Sequence, residues 1–187
     1  MFWLWACVVE SSAPAVLDSS ALEEPATEPD PILSLDASLL PAAADSCREP
    51  TLAWVNYVVD GDTVFAQVGA QEEKIRLIGI DTPELGYDGD PDECYAQEAT
   101  LFLRDMIDER WVWLTFDRQC VDTYDRTLAY IHIDLGTQGF VQRQQLQRGV
   151  GRAFPFDDTP AFTSSFLEDA AQASSAGLGG WGACGWE

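Results

Sequence analysis

The sequence predicts a mainly β domain of the α+β class, a small antiparallel barrel with about three helices packed outside it. The first observation is the order of its periodic segments, which reads three strands, a helix, two strands and then helices. The second is Asp60-Gly61, a turn signal between the first two strand-like segments, which favours a hairpin. The apolar content of 47% excludes wholesale disorder.

Each element follows from a local pattern. Alternating apolar residues bounded by turn residues predict strands at 53–60, 64–68, 71–80, 111–116 and 127–133, with an extended segment at 153–156. Helical spacing predicts a helix at 95–109. A short helix at 141–148 should end at Gly149, and a last helix at 160–175 begins with a proline. Residues 177–182 are expected to form a closing loop.

Three regions are expected along the chain. Residues 1–7 resemble the end of a bacterial lipoprotein signal, so Cys7 is either a lipidated cysteine or a free one. Residues 8–46 are rich in Ser, Ala, Pro and acids and contain no base, which is typical of an acidic disordered tether. Residues 47–187 should form the folded domain.

The chain is strongly acidic. Its net charge is −22, and Lys74 is the single lysine among ten basic residues. Such a body repels polyanions at long range, and salt screens this repulsion beyond roughly 10 Å. The composition is typical of either a salt-adapted or an extracellular protein. Any binding of nucleic acid must therefore come from a local site and not from the surface as a whole.

The cysteines predict two disulfides. Without Cys7, four of the five cysteines remain, none of them in a CxxC spacing, which disfavours zinc and favours an oxidising compartment. Three connectivities are possible. We expect Cys47 with Cys184, tying the ends of the domain together, and Cys94 with Cys120, joining two loops.

Two short motifs and an arginine offer the groups that phosphodiester hydrolysis needs. They are Asp60-Gly-Asp62-Thr63, the run from Arg76 through Asp81-Thr82-Pro83-Glu84, and Arg126. Carboxylates suit a hard divalent cation, and guanidiniums stabilise phosphoryl charge. On a regular strand Arg76 and Asp81 would face opposite sides, so a shared site predicts an irregularity near Gly79. His132, the one histidine, lies on a predicted strand far from other ligand types, and a structural role is expected.

These motifs, together with the EATLFL helix, DTYDRTLAYI and GLGGWGAC, resemble the staphylococcal nuclease family from about residue 53 to 186. The resemblance implies a five-stranded OB-fold barrel and Ca²⁺-dependent endonuclease cleavage of DNA and RNA to 3′-phosphorylated products. It assigns Asp62, Asp81 and the Thr82 main-chain carbonyl to Ca²⁺. It assigns Glu84 to the attacking water, and Arg76 and Arg126 to the phosphate.

The resemblance also implies a nucleotide-contacting role for Tyr124, with Phe154 and Phe156 in the places of two tyrosines. Thr123 replaces a lysine of the family and Asp125 replaces a glycine. Asp125 either pairs with Arg126 or points to solvent. These departures predict weaker substrate binding with the chemistry retained, because phenylalanine stacks on a base without offering a hydroxyl.

The expected protein is thus a monomeric, disulfide-stabilised nuclease, secreted or lipid-anchored at a bacterial envelope. Its substrate would be single-stranded or locally opened DNA and RNA, and its cofactor Ca²⁺. Two alternatives stay open: a catalytically idle OB-fold module that binds nucleic acid or a protein, and a Ca²⁺-stabilised envelope domain.

Overall fold

Five strands close into a barrel in the computed structural model, which describes residues 30–155 and 161–186. The strand order around the barrel is β1-β2-β3-β6-β5, and β4 pairs with β7 in a separate two-stranded sheet. The strands are β1 (Thr51–Val58), β2 (Thr63–Val68), β3 (Gln71–Leu77), β4 (Ile80–Asp81), β5 (Trp111–Thr115), β6 (Thr127–His132) and β7 (Arg152–Ala153). The helices are α1 (Ala96–Ile107), α2 (Val141–Arg148), α3 (Thr163–Ser175) and the short α4 (Gly180–Ala183). The predicted five-stranded barrel with helices outside is confirmed.

The first three strands form the expected antiparallel meander. Val58 of β1 lies opposite Val64 of β2 across the Asp60-Gly61 turn, and Thr63 lies opposite Arg76 of β3. The prediction of a wholly antiparallel barrel is wrong at one seam, because β3 and β6 run parallel with Ile75 opposite Thr127. A parallel pair needs a long crossover, and here α1 and β5 supply it.

The barrel interior is filled by the inward-facing residues of the alternating strands. Val55, Ile75 and Leu114 are fully buried there, and Leu103 of α1 and Phe166 of α3 pack against the same cluster. Burying these apolar groups removes roughly 25 cal/mol of unfavourable hydration free energy per Å² of apolar surface. This cluster holds the helices against the barrel.

The third predicted strand is broken into two. Strand β3 ends at Leu77, and Gly79 adopts a left-handed φ of 79° before β4 begins. A side chain at Gly79 would be strained by this φ and would also meet the ring of Phe166 at 2.7 Å. The turn directs β4 away from the barrel toward β7. Residues 78 and 79 therefore interrupt the strand, and this interruption is the irregularity expected near Gly79.

The described part of the predicted tether is packed on the barrel. A short 3₁₀ helix at Pro31–Ser34 buries Ile32, and Leu40 is also buried. The indole of Trp113 on β5 donates a hydrogen bond of 3.1 Å to the Ile32 carbonyl. Composition alone does not reveal these few apolar residues as anchors, because they interrupt a stretch of polar and small residues.

Several predictions fall outside the described residues. They concern the signal-like segment with Cys7, the tether as far as residue 29, and Phe156. Within the two described ranges, no helix has the length and apolar character needed to cross a membrane.

Two disulfides are present, but the predicted connectivity is wrong. Cys47 is bonded to Cys120, and Cys94 is bonded to Cys184. Cys47 precedes β1 and Cys120 follows β5, and these strands are antiparallel neighbours, so the two cysteines meet at one end of the barrel. The amide of Cys47 donates to the Asp117 carbonyl at 2.8 Å, which fixes this approach. Each bridge closes a long loop and restricts the unfolded chain.

The buried histidine has the structural role expected of it. His132 on β6 is fully buried, and its Nε2 lies 2.9 Å from the Thr115 hydroxyl of β5. Its Nδ1 has no hydrogen-bond partner among the described residues. Burial lowers the pKa of His132 to about 4, so the folded protein holds the ring neutral over most of the acidic range.

This burial predicts a loss of stability on acidification. Below pH 6.5 the His132 ring binds a proton in the unfolded chain, whereas in the native protein it stays neutral down to about pH 4. We expect His132 to remove about 3 kcal/mol of unfolding free energy between pH 7 and pH 4. Urea unfolding of the unmodified protein and of His132→Gln across this range measures the difference. Equal pH dependence in the two proteins would contradict the assignment.

Candidate functional site

A buried ion pair forms the centre of the candidate site. Asp62, just after the first hairpin turn, is 1% exposed, and its Oδ2 lies 3.1 Å from Nη2 of Arg76. The same oxygen accepts hydrogen bonds from the Thr82 amide at 3.0 Å and the Thr82 hydroxyl at 3.1 Å. The other oxygen accepts from the Thr63 hydroxyl at 3.1 Å. These donors offset the loss of hydration that a buried carboxylate suffers.

Arg76 fixes the turn that brings Asp81 to the same side. Its Nη1 donates to the carbonyls of Leu77 at 2.7 Å and Ile80 at 2.9 Å, which flank the turn at Gly79. Its Nη2 lies 3.5 Å from the carboxylate of Asp81. The structure thus joins four of the predicted site residues, Asp62, Arg76, Asp81 and Thr82, through direct contacts.

The hairpin turn approaches the site closely. Gly61 has its backbone against Thr82, where an added Cβ would lie 2.6 Å from the threonine hydroxyl and 2.9 Å from Cβ of Ala99. A glycine is therefore required between the two aspartates. Asp60 accepts a hydrogen bond from the Asp62 amide at 3.0 Å, which shapes the turn.

Negative charge is in excess around the ion pair. Burial and then the charge of Asp62 raise the pKa of both Asp60 and Asp81 above the ordinary aspartate value. Partial desolvation raises the pKa of Glu84, and Asp60 and Asp62 raise it further, whereas Arg76 lowers it. Glu84 thus lies within the electrostatic influence of the other site residues. Carboxylates are hard oxygen donors, the ligand type that divalent cations such as Ca²⁺ and Mg²⁺ prefer.

The described residues contain no group of three or more His, Cys, Asp or Glu side chains placed to hold a metal ion. The set expected for Ca²⁺ has only two carboxylates, Asp62 and Asp81, with the Thr82 main-chain carbonyl. The remaining ligands of such an ion would be waters or substrate oxygens.

The acidic loop after Glu84 closes back on it. The Glu84 amide donates to the Glu93 carboxylate at 3.1 Å, and the Glu93 amide donates to the Glu84 carbonyl at 3.0 Å. The backbone of Glu84 is therefore held on both sides. The carboxylate itself extends from an exposed residue at the edge of the site.

Arg126 lies in the turn just before β6, outside the ion-pair centre. Its Nε is 2.7 Å from the Asp122 carboxylate, and its guanidinium lies 5.4 Å from the centre of the Tyr124 ring. Arg126, Tyr124 and Lys74 line an open depression of about 280 Å³. Because Ile75 lies opposite Thr127 in the parallel pair, Arg126 lies beside Lys74 of β3 at the start of β6. No direct contact joins it to Asp62, Asp81 or Glu84 within the described ranges.

The alternative left open for Asp125 is resolved by this pairing. The ion-pair partner of Arg126 is Asp122, and Asp125 adopts a left-handed φ of 60° at the exposed tip of the turn. Glycine takes this conformation without strain, and aspartate tolerates it better than most residues do. Hydrogen bonds from Arg126 and the amide of Tyr124 hold the pKa of Asp122 low, despite the opposing effect of its partial burial.

The predicted aromatic residues near the substrate differ in their placement. Tyr124 is 77% exposed, and Phe154, 46% exposed, donates its amide to the Gly79 carbonyl at 2.8 Å. Phe154 thus lies beside the turn that positions Asp81. Phe156 is outside the described residues.

Two further residues approach the site and were not predicted. Arg152 on β7 lies 3.6 Å from the second oxygen of Asp81, and its guanidinium is 5.3 Å from the Trp186 ring. Gln145 on α2 is fully buried and donates to the Gly61 carbonyl, while its own Oε1 has no partner among the described residues. No local pattern marks either residue, because both reach the site only through the pairing of β4 with β7 and the packing of α2.

Comparison with known proteins gives a consistent family. Residues 74–183 match the family described as "Staphylococcal nuclease homologue". A thermonuclease of Staphylococcus intermedius is 40% identical over 77 residues, covering 41% of this chain and 46% of the relative. A thermonuclease of Staphylococcus hyicus is 35% identical over 96 residues, covering 51% and 55%. A prophage-derived endonuclease of Bacillus subtilis is 28% identical over 130 residues, covering 68% and 43%. The chain thus spans about half the length of these relatives.

The buried pair predicts an asymmetric response to mutation. Removing the guanidinium in Arg76→Met leaves the Asp62 carboxylate buried without its partner, and we expect a loss of about 3–5 kcal/mol of unfolding free energy. The matched variant Arg152→Met removes a half-exposed partner of Asp81 and should lose about 1 kcal/mol or less. Denaturant unfolding at neutral pH measures both. Similar losses in the two variants would contradict the central position of the Asp62–Arg76 pair.

Proposed function

We propose that this chain, which belongs to the staphylococcal nuclease homologue family, is a Ca²⁺-dependent endonuclease that hydrolyses DNA and RNA to 3′-phosphorylated products. The observation that carries the proposal is the convergence of Asp62, Arg76, Asp81 and Thr82 at one end of the barrel. Such a cluster combines oxygen ligands for a metal with a fixed positive charge. The nuclease names of its relatives support the same activity.

The proposed metal ligands are the carboxylates of Asp62 and Asp81 and the main-chain carbonyl of Thr82. When bound there, Ca²⁺ would neutralise phosphate charge and polarise a phosphoryl oxygen. The Thr82 amide and hydroxyl already hold Asp62 in place. The ligands are therefore positioned by the protein's own hydrogen bonds.

The two proposed phosphate-binding arginines are held in different ways. Arg76 is anchored by two backbone carbonyls, so its remaining N–H groups keep a fixed direction. Arg126 is oriented by Asp122 and by the face of Tyr124. Fixed guanidiniums stabilise the charge that develops on the phosphoryl oxygens without reorganising during the reaction. They would bind the phosphate from strand β3 and from the turn before β6.

Glu84 is the proposed base that orients the attacking water and takes up its proton. Its backbone is anchored by Glu93, whereas its carboxylate remains open to solvent. The acidic neighbours that raise the pKa of Glu84 also make its carboxylate a better proton acceptor. The proton would pass from the water to this carboxylate as the oxygen attacks phosphorus. The bond from phosphorus to the 5′ oxygen would break in the same reaction, and the released 5′ oxygen would take up a proton to leave as a hydroxyl.

Substrate binding is proposed to be weak and dependent on salt. Thr123 replaces a lysine beside Tyr124, and the surrounding protein is acidic. Tyr124 and Phe154 expose rings on which bases stack, and Phe156 is proposed to act with them. These contacts favour unpaired bases, so single-stranded or locally opened nucleic acid is the proposed substrate.

The proposed location is extracellular or at the cell envelope, with the protein acting as a monomer. Two disulfides support an oxidising compartment. Attachment to a membrane would require lipidation of Cys7.

The test is cleavage of single-stranded DNA and RNA with millimolar Ca²⁺, repeated with EDTA and across a salt series. We expect cleavage only with the metal, and a loss of about 10²–10⁴-fold in kcat for Glu84→Gln. The exposed acid on α1 gives the matched control, Glu98→Gln, which should retain full activity. Cleavage that persists in EDTA would contradict the Ca²⁺ requirement, and binding without any cleavage would indicate a non-catalytic module.

The two arginines give a second test. Arg126→Ala should lower kcat by about 10²–10³-fold because a fixed donor to the transition state is lost. The control Arg110→Ala removes an exposed arginine whose side chain donates to the Met106 carbonyl, and it should leave kcat unchanged. Equal activity of the two variants would show that Arg126 does not act on the phosphate.

A further inference from the structure

Three neighbouring strands of the barrel and the turn before β6 present a row of side chains on the outer surface. Tyr57 of β1 lies opposite Phe65 of β2, and Phe65 lies opposite Lys74 of β3. The residues that follow Lys74 and Arg126 are also opposite each other, which places Arg126 beside Lys74 at the entry to β6. Strands are about 4.8 Å apart, so the row spans roughly 14 Å from Tyr57 to Arg126.

The members of the row touch through their aromatic faces. The rings of Tyr57 and Phe65 are stacked with centroids 4.9 Å apart, and the Lys74 ammonium lies 5.8 Å from the Phe65 ring. At the far end, Arg126 lies over Tyr124. Two adjacent cations therefore lie between a stacked ring pair and a third ring along one path, which we call the aromatic row (Tyr57, Phe65, Lys74, Arg126, Tyr124).

Much of the row is open to solvent. Tyr57 is 47% exposed, Tyr124 is 77% exposed and Lys74 is also exposed. Tyr57 and Phe65 point outward, whereas their chain neighbours are buried in the barrel: Val58 follows Tyr57, and Val64 precedes Phe65. The stacked pair lies outside the core, and the exposed part of Tyr57 is available to a ligand.

The charge of the row differs from that of the rest of the protein. Lys74 is the only lysine of a chain with a net charge of −22, and it has no carboxylate within ion-pair distance among the described residues. Beyond Lys74 on the same face, Glu72 accepts a hydrogen bond from Asn56 and ends the positive region. The uncompensated cation is thus placed next to the depression that Arg126 lines.

We propose that the aromatic row binds a second part of a single-stranded nucleic acid, with bases stacked on Tyr57 and Phe65 and a phosphate at Lys74. The inference rests on the proposed function, since the row begins at Arg126 and continues away from the ion-pair centre. Rings flanking cations suit this ligand because every base has a face that stacks and every nucleotide has a phosphate. A duplex keeps its bases paired and would not use the rings.

The row predicts a requirement for length and for unpaired bases. A ligand that reaches from Arg126 to Tyr57 must extend well beyond one nucleotide, because the two ends are roughly 14 Å apart. Long single strands should therefore bind more tightly than a dinucleotide. Loss of the rings should weaken only the long ligand.

The experiment measures binding of a fluorescent single strand of about 16 nucleotides, the upper end of OB-fold site sizes, by anisotropy. Ca²⁺ is present, and Glu84→Gln is the common background so that no cleavage occurs. We expect Tyr57→Thr and Phe65→Thr each to weaken binding roughly 10-fold, as stacking of one base implies. We expect Lys74→Gln to reduce the slope of log K against log salt by about 0.7.

A matched control comes from the same strand. Trp54 of β1 also points outward, and it packs edge-on against Trp111 at 5.5 Å, away from the row. Trp54→Thr should leave binding of the single strand unchanged. With a duplex of equal length, Tyr57→Thr and Phe65→Thr should also leave binding unchanged. Thermal unfolding of each variant confirms that it is folded under the conditions of the measurement.

The inference would be overturned by unchanged single-strand binding in Tyr57→Thr and Phe65→Thr, by an equal loss in Trp54→Thr, or by an equal loss with duplex. The inference would also be overturned if the Glu84→Gln protein with an unmodified aromatic row bound no single strand. Cleavage of a dinucleotide by the Glu84-containing protein separates the two proposals, since Tyr57→Thr should leave it unchanged. A protein that cleaves nothing yet loses single-strand binding with the ring variants would contradict the nuclease proposal alone.

Discussion

The candidate site depends on one buried ion pair. Asp62 and Arg76 are nearly excluded from water, and hydrogen bonds replace the hydration that each group loses. Asp62 receives three donors from threonines, and Arg76 donates to the two carbonyls around the Gly79 turn. The pair thereby locks the first hairpin turn, the end of β3 and the Thr82 backbone into one arrangement. Any displacement of one segment would leave a buried charge without partners.

The break in the third predicted strand brings Asp81 into the site. A continuous strand would have kept Asp81 on the opposite face from Arg76. The left-handed turn at Gly79 brings Asp81 within contact of the guanidinium and sends β4 to pair with β7. Arg152 arrives at the other side of Asp81 through the same pairing. The turn at Gly79 therefore places an arginine next to each carboxylate oxygen of Asp81, a proposed metal ligand.

The protein is acidic, whereas a protein that acts on nucleic acid, as proposed here, would be expected to carry net positive charge. Acids dominate the chain, while the basic groups with a role in the proposed function are concentrated near the ion pair and along the aromatic row. At physiological salt the distant acids are screened beyond roughly 8 Å, whereas contacts at the site are not. Local cations and exposed rings can therefore determine binding even though the protein as a whole is negative.

The sequence by itself predicted most of the strands and helices of this protein and proposed the residues of its candidate site. Strand alternation, helical spacing and the Asp60-Gly61 turn are local signals, and the need to bring Arg76 and Asp81 together predicted the break at Gly79. The tertiary structure alone decided which distant segments meet. The parallel β3–β6 seam, the bonding of Cys47 to Cys120, the packing of Ile32 and the approach of Gln145 all depend on strand order and helix docking. No period within a segment records these contacts, because the free energy that selects them comes from burial and pairing between residues far apart in the chain.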